Sequence, residues 1–343
     1  MSTDQQYDVV VIGGGPAGLS ATVTLARSLR SVLVVDAGEP RNAPSTGAHN
    51  VLGREGVPPL ELLAAGRREA EGYGAEIRRD LAVSARRERE VFAVELASGG
   101  TVRARRLVLA TGLVDELPEI PGVRELWGHS VLHCPYCHGW EVRGRRIGVL
   151  ATSPMSIHQA LMFRRLSDEI TLFRHTMPDP GDDAEEQLAA LGVRVVDGTV
   201  ARLRSADGEL RAVVLDDGGE VPVDALVVAP RFLARTELFE QLGGKPSDHP
   251  MGAFIATGPM SRTEVPGVWA AGNADDLSAT VAGAAGAGVF AGAAVNADLV
   301  AEDAAEAVRV RRGERAGRDP RGAGDGSDVR EDGAAGATPL RTP

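Results

Sequence analysis

The sequence predicts an α/β fold, and two strand–helix–strand patterns carry that prediction. An apolar, β-branched run at residues 7–12 is followed by a glycine-rich turn, a helical pattern at 17–29 and a second apolar run at 32–36. A second unit of the same kind is predicted between residues 146 and 173. Strands that alternate with helices in this way pair in parallel through crossover helices. We therefore expect two Rossmann-like three-layer domains.

Turn residues and apolar runs predict the remaining elements. Gly99-Gly100 and Asp207-Gly208 indicate hairpin turns, and the prolines at 118–122 indicate a hinge. Residues 41–59 are polar, contain Pro and Gly, and predict a loop. The other predicted elements are helices at 60–73, 184–191 and within 232–242, strands within 77–96 and 194–216, strands at 101–104, 107–110, 225–229 and 268–271, and a final Ala/Gly helix at 279–295.

The order of these elements predicts a discontinuous domain. We expect residues 1–112 and 236–305 to form it together, with residues 113–235 inserted as a smaller domain. The C-terminal range 312–343 contains little apolar surface, so it is predicted to be a disordered tail.

Charge and composition limit the function. The 343 residues include 37 Lys and Arg against 48 Asp and Glu, a net charge of −11, which argues against nucleic acid as a partner. The polar N-terminus lacks a signal-peptide pattern, so a cytoplasmic protein is expected. The uncharged stretch at 279–295 is built mainly of Ala and Gly, and it predicts a tightly packed buried helix rather than a membrane span.

A dinucleotide-binding motif lies between the first predicted strand and helix. Gly13, Gly15 and Gly18 form G-x-G-x-x-G, and Asp36 ends the next strand. The first glycine allows a tight turn, the second lets the backbone approach a pyrophosphate, and the third lets the helix pack on the sheet. An acid at the end of the second strand is placed to bind ribose hydroxyls. This combination predicts dinucleotide binding.

Two later segments indicate that the dinucleotide is FAD. Residues 265–273 resemble the second flavin motif of flavoproteins with two dinucleotide-binding domains, and 107–112, ending in Thr111-Gly112, resembles their short A-T-G segment. In those proteins an Asp follows the last glycine and binds the ribityl chain. Here Gly272 is followed by Asn273, which keeps hydrogen-bonding capacity without the charge.

The only two cysteines, Cys134 and Cys137, form a C-x-x-C pair. A single pair of this spacing in a large chain is typical of redox chemistry. A zinc site would need two further ligands of suitable spacing, and an inert buried pair is the other alternative. His138 follows directly and is predicted to act as a base, because thiol oxidation releases protons near neutral pH. His133 is a weaker candidate for the same role.

Residues 7–300 resemble the low-molecular-weight thioredoxin reductases in the order of these motifs. The resemblance implies that Cys137 lies against the flavin, that Cys134 exchanges with substrate sulfur, and that the protein is a homodimer. It also implies an NADPH site in the inserted domain, but residues 148–154 keep only Gly148 of the expected glycine turn. The expected basic cluster is reduced to Arg174, so NADPH use is doubtful.

In these departures, and in having His138 where thioredoxin reductases carry Asp, the sequence is similar to the dithiol oxidases that close disulfides in natural products such as gliotoxin and holomycin. The segment 36–42, with Arg41 and Asn42 at its end, also resembles that group. The resemblance implies a small-molecule dithiol as substrate and O₂ as electron acceptor. The alternatives are an NADPH-dependent reductase acting on thioredoxin, and a catalytically silent flavin-binding redox sensor.

Overall fold

The computed structural model describes residues 5–317, with side chains described to Gly313. Within these residues nineteen strands form four sheets. The strands are β1 Gln6–Ile12, β2 Val32–Asp36, β3 Glu76–Arg79, β4 Ala82–Glu88, β5 Val91–Leu96, β6 Thr101–Leu109, β7 Leu113–Glu116, β8 Val131–Leu132, β9 Ile147–Leu150, β10 Ile170–Phe173, β11 Arg194–Val196, β12 Val200–Ala206, β13 Glu209–Leu215, β14 Glu220–Pro222, β15 Ala225–Val227, β16 Arg231–Ala234, β17 Ser247–His249, β18 Gly252–Phe254 and β19 Val268–Ala270.

Eight α-helices accompany these strands within the described part of the chain. They are α1 Pro16–Arg27, α2 Pro59–Gly72, α3 Val123–Leu126, α4 Pro135–His138, α5 Met155–Arg164, α6 Asp182–Ala190, α7 Glu237–Gln241 and α8 Val281–Gly317. The loop between β2 and α2, residues 37–58, is called the first loop below.

The first sheet has the order β3-β2-β1-β6-β5-β4, with β19 also paired to β6. β1 lies parallel to both β2 and β6, as the first βαβ pattern predicts. β6 is one continuous strand, whereas the sequence predicted separate strands at 101–104 and 107–110. Arg105 and Arg106 interrupt the apolar pattern there, but they form ion pairs with Asp8 and Asp298 and remain in the strand.

The second sheet has the order β11-β10-β9-β15-β8 and is parallel throughout. It contains the second predicted βαβ unit, β9-α5-β10. The antiparallel sheet β12-β13-β14 follows, with Asp207 and Gly208 at φ values of 54° and 76° in the β12–β13 turn. Both residues have the positive φ that a two-residue hairpin turn requires, so this predicted turn is confirmed.

The fourth sheet, β17-β18-β16-β7, has no counterpart among the predicted elements. β7 leaves the first sheet directly after Thr111 and Gly112, and β16 begins after β15 of the second sheet. The two strands pair in antiparallel fashion, Leu113 opposite Ala234. The chain passes from the first sheet to the second through β7 and returns through β16. These two chain crossings therefore lie side by side, next to the boundaries predicted for the inserted domain.

Described residues up to Asp298 form one compact unit, and those from Leu299 onward belong to a second. Helix α8 continues to Gly317 and so includes residues 312–317 of the predicted tail, whose disorder stays a prediction. The rest of the predicted tail, 318–343, lies outside the described residues.

Helix α8 packs on α1 through glycines. A Cβ on Gly288 would lie 2.0 Å from the Ala17 carbonyl oxygen, and one on Gly292 would lie 2.8 Å from the Ala21 carbonyl oxygen. The predicted tight packing of the Ala/Gly helix is therefore present. By length and composition Val281–Gly313 could also cross a membrane, a property that core helices of soluble proteins share.

We expect Gly288→Ala to lower the thermal unfolding midpoint, because the new methyl group meets α1 backbone and overpacking costs about 1–3 kcal/mol. Gly286→Ala is the matched control, since a Cβ there meets nothing within 4 Å and should stabilise the helix by about 0.5–1 kcal/mol. Equal midpoints for the two variants would contradict this account of the packing.

Candidate active site

A cavity of ≈ 1740 Å³ lies in the compact unit that ends at Asp298. This exceeds the ~300–1,000 Å³ of ordinary small-molecule pockets and leaves room for a dinucleotide. All but one of the predicted site residues line it, and these are Gly13, Gly15, Asp36, Arg41, Asn42, Thr111, Gly112, Cys134, Cys137, His138, Gly272 and Asn273. The exception is Gly18.

The first glycine turn joins β1 to α1. Gly13 has a φ of +105°, and a Cβ there would lie 2.2 Å from the Ala110 carbonyl oxygen. A Cβ on Gly18 would lie 1.9 Å from the Gly13 carbonyl oxygen, so Gly18 acts by packing the helix on the turn. Gly15 faces open space at the helix N-terminus. The turn thus offers an uncovered backbone at a positive dipole end, as a pyrophosphate site requires.

Asp36 lies beside this turn at the end of β2. Its carboxylate accepts a hydrogen bond from the Gly38 amide at 3.1 Å and pairs with Arg67 at 3.3 Å. A Cβ on Gly14 would lie 2.5 Å from the Asp36 carboxyl group. The carboxylate is therefore held at the edge of the dinucleotide turn, where ribose hydroxyls bind in this arrangement.

Arg41 connects three segments of the site. Its guanidinium forms a bidentate pair with Asp115, at 2.9 and 2.7 Å, and donates a hydrogen bond to Asn273 Oδ1 at 3.2 Å. It also stacks over the Phe232 ring, 5.0 Å from the centroid. The first loop, β7, β16 and the segment before α8 thus converge on one cation.

Asn273 and the residues around it shape the entry to α8. The Asn273 amide donates hydrogen bonds to the carbonyl oxygens of Asp276 and Ala279. Gly272 has a φ of +77°, and a Cβ there would lie 2.8 Å from the Ala17 side chain. The two predicted flavin motifs therefore meet directly.

Asn42 and Thr111 form hydrogen bonds to backbone groups and not to the Arg41 side chain. The Asn42 carbonyl accepts a hydrogen bond from the Ser45 amide within the first loop. The Thr111 hydroxyl donates to the Arg235 carbonyl at 2.8 Å, and the Arg235 amide donates to Gly112. Thr111 and Gly112 thus stabilise the point where the two chain crossings begin and end.

The thiol pair lies at the start of α4. Cys134 precedes the helix in an extended conformation, and its sulfur lies 2.7 Å from that of Cys137, which donates its proton to it. A small side-chain rotation would bring the sulfurs to bonding distance. The pair is therefore arranged to open and close a disulfide.

The environment makes the two thiols unequal. The Cys137 thiol, the backbone N–H groups of Cys137 and Tyr136, and the charge of Arg41 lower the pKa of Cys134 to about 6. The same hydrogen bond, together with burial, raises the pKa of Cys137 far above its ordinary value. At neutral pH Cys134 is the thiolate and Cys137 keeps its proton.

His138 is the last residue of α4. Burial lowers its pKa below the ordinary value of a histidine, while Glu141 acts in the opposite direction. A neutral imidazole at pH 7 can accept a proton. His138 lines the same cavity as the thiols, and its role as a base stays a prediction.

His133 is a packed histidine. Its Nδ1 atom lies 2.9 Å from the Val228 carbonyl oxygen, and its ring meets Phe232 edge to face at 5.2 Å. Burial lowers its pKa, so the ring is neutral. Among the side chains that the structure describes, up to residue 313, no three His, Cys, Asp or Glu residues converge as a metal site would require.

In the turn after β9, where a second dinucleotide would bind, two amide groups are engaged in hydrogen bonds within the turn. The Thr152 amide donates to Ser156 Oγ at 3.3 Å, the Ser156 amide donates to the Ser153 carbonyl, and Pro154 has no N–H group. A Cβ on Gly148 would meet the Phe173 ring at 2.8 Å, so this glycine serves packing within the sheet.

The remaining cation of that site is also engaged. Arg174 pairs with Glu185 at 2.7 Å and with Asp197 at 2.8 Å. His175 Nδ1 accepts a hydrogen bond from the Val200 amide. Neither side chain is free to hold a 2′-phosphate without breaking these contacts.

Comparison with known proteins identifies the family. The family model described as pyridine nucleotide-disulphide oxidoreductase matches residues 7–288. The chain belongs to this family. Its relatives include the thioredoxin reductase tcpT of Claviceps purpurea, 34% identical over 88% of this chain and 97% of that protein. The thioredoxin reductase aclD of Aspergillus oryzae is 31% identical over 78% of this chain and 88% of that protein.

Solved structures of this oxidoreductase family share the fold. The crystal structure of HlmI matches with a TM-score of 0.83 and 47% identity, covering 88% of this chain and 95% of that one. An oxidoreductase from Agrobacterium tumefaciens matches with a TM-score of 0.82 and 39% identity, covering 86% and 99%. The prediction of two Rossmann-like three-layer domains is confirmed by these likenesses.

FAD is the cofactor of this oxidoreductase, and the residues present fit it. The uncovered backbone at Gly15 and the α1 N-terminus suit the pyrophosphate, and Asp36 suits a ribose. Asn273 and Thr111 add polar side chains to the lining of the same cavity. The residues that line this cavity and the family therefore both support the prediction of a flavoprotein.

Several residues of the site carried no sequence signal. Arg67 holds Asp36 from α2, and Asp115 holds Arg41 from β7. Because Arg67 and Asp115 each act on a residue distant in the chain, no local motif could have indicated them.

We expect Cys134 to be alkylated by iodoacetamide with a pH midpoint near 6 in the reduced enzyme, and Cys137 to resist below pH 8. Cys137→Ala should raise the Cys134 midpoint toward the ~8.5 of a free thiol, because the strongest hydrogen bond to the thiolate is lost. Mass spectrometry of the two modified sites measures both. An unchanged midpoint would contradict the inferred sharing of the proton.

Proposed function

We propose that this protein oxidises a small-molecule dithiol to its disulfide and passes the electrons to O₂, which becomes hydrogen peroxide. The observation that carries the proposal is the contrast between the two dinucleotide turns. The FAD turn presents open backbone at Gly15, whereas in the second turn the Thr152 and Ser156 amides are already hydrogen-bonded within the turn and Pro154 has no N–H group. Electrons then enter through the thiols instead of a nicotinamide.

The residues of the thiol pair take distinct roles in this proposal. A substrate thiolate attacks Cys134 of the enzyme disulfide, and Cys137 leaves and takes up a proton. The second substrate thiolate attacks the substrate sulfur of the mixed disulfide, and Cys134 leaves as a thiolate. The low pKa of Cys134 favours that departure, because thiols of low pKa are better leaving groups.

Two protons leave the substrate in this exchange. One ends on Cys137, whose raised pKa holds it, and His138 accepts the other and returns it to solvent. When bound, FAD supplies the two-electron relay from the reduced cysteines to O₂. Atoms and charge then balance as dithiol plus O₂ giving disulfide plus H₂O₂.

The resemblance to natural-product dithiol oxidases supports a small substrate, and the resemblance to low-molecular-weight thioredoxin reductases supports a homodimer. A cytoplasmic location stays a prediction. The second candidate is an NADPH-dependent thioredoxin-disulfide reductase. The intact β9-α5-β10 scaffold and the names of the relatives favour it. Retention of both cysteines beside the FAD site argues against a silent redox sensor.

Anaerobic titration of the FAD-loaded enzyme separates the two catalytic candidates. We expect NADPH to leave the flavin absorbance unchanged and a small dithiol to bleach it, and we expect air to restore the colour with one H₂O₂ per flavin. Cys134→Ser is the control, since it keeps the FAD cradle but cannot form the enzyme disulfide. Rapid bleaching by micromolar NADPH would instead establish the reductase.

A pH profile tests the role of His138. We expect His138→Asn to slow dithiol oxidation about 10²-fold or more near pH 7, because general bases contribute at that level. The deficit should shrink above about pH 9, where substrate thiols ionise unaided. A deficit of the same size at every pH would mean that His138 only packs against its neighbours.

A further inference from the structure

The tip of the first loop, residues 47–57, is held in its conformation by hydrogen bonds between its own residues. Ala48 and Val57 form an antiparallel bridge, with the Ala48 amide donating to the Val57 carbonyl at 2.8 Å. Glu55 accepts hydrogen bonds from the Asn50 amide at 2.9 Å and from His49 Nδ1 at 2.7 Å. These internal contacts therefore define the conformation of the tip independently of its contacts with the rest of the protein.

This tip contacts residues 134–141, the segment that carries the thiols and is called the thiol turn below, at two points. The Asn50 side-chain amide donates to the Tyr136 carbonyl oxygen at 3.0 Å, and His49 Nε2 lies 3.3 Å from a Glu141 carboxylate oxygen. Asn50 adopts a φ of 59°, a conformation that asparagine and glycine tolerate best. Its backbone is thus set to direct the amide at Tyr136, the second of the two residues between the cysteines.

The acceptor of this hydrogen bond belongs to a particular peptide group. The Tyr136 carbonyl and the Cys137 N–H share one rigid plane, and that N–H is directed at the Cys134 sulfur. A donor on the carbonyl fixes the orientation of the plane. It also polarises the peptide and strengthens its N–H as a donor, because linked hydrogen bonds reinforce each other.

We propose that Asn50 is a positioning residue for the nucleophile: through the Tyr136–Cys137 peptide it holds the N–H group that stabilises the Cys134 thiolate. The first loop, which belongs to the FAD-binding part of the sequence, thereby tunes a thiol carried by the inserted part. The inference shares with the proposed function the assignment of Cys134 as nucleophile, and it is independent of the electron acceptor.

Other charges near the sulfur are separable from this effect. The ionisable groups that act on Cys134 are Cys137 on the same turn and Arg41 from the base of the first loop. Arg41 is held by Asp115 and Asn273, and neither of these contacts involves Asn50. Removing the Asn50 amide therefore changes the peptide donor and leaves those groups in place.

The test uses the FAD-loaded enzyme, reduced with a dithiol without oxygen, and the rate of Cys134 alkylation by iodoacetamide as a function of pH. Asn50→Gly removes the amide and keeps the positive φ without strain. We expect it to raise the Cys134 midpoint by about 0.5–1 pH unit, a fraction of the stabilisation that a hydrogen bond to a charged group supplies.

Leu52→Ala is the matched control, because Leu52 lies on the same tip, is fully exposed and should leave the midpoint unchanged. Flavin absorbance of each variant reports that the fold and cofactor are retained. A wild-type midpoint in Asn50→Gly, or an equal shift in Leu52→Ala, overturns the role of Asn50 while leaving the proposed oxidation intact. Alkylation of Cys137 before Cys134 overturns both, because the nucleophile itself would be misassigned.

Discussion

The ion pair between Arg41 and Asp115 is the interaction on which the rest of the site depends. The side chain of Asp115 is only 8% exposed, so loss of Arg41 would leave the Asp115 charge with little solvent to compensate it. Arg41 brings the first loop to β7, and through Asn273 it reaches the segment that starts α8. Its charge also favours the thiolate forms of both cysteines. Cofactor cradle and thiol turn are thus connected through one guanidinium group.

The two cysteines take different roles because their positions in the fold differ, although their side chains are chemically identical. Both side chains are identical thiols three residues apart, yet the N–H groups at the start of α4 face only Cys134. Cys137 can stabilise its neighbour only by keeping its own proton. A helix of four residues is sufficient for this, because the stabilisation depends on two amide groups and one thiol.

Local patterns in the sequence predicted the elements that depend on local physics. The βαβ units, the Asp207-Gly208 turn and the close packing of the Ala/Gly helix follow from periodicity, turn stereochemistry and small side chains. The fourth sheet was not predicted, because β7 and β16 are short and their pairing joins residues more than a hundred positions apart. Charged residues misled the prediction at Arg105 and Arg106, where ion pairs keep the strand continuous. For the site, motifs indicated which residues take part, but Arg67, Asp115 and Asn50 act across the fold and leave no periodic signal.

The second sheet has a mechanical use that does not depend on nucleotide. β8 ends two residues before Cys134 and is held in place by β15, which in turn pairs with β9. A mutation that blocks the turn after β9 leaves this support unchanged, whereas one that disrupts the sheet displaces the thiols. A requirement for thiol chemistry alone would therefore be enough to keep this sheet, whether or not a nucleotide binds at the turn after β9. The presence of the scaffold in a sequence does not by itself show which ligand binds.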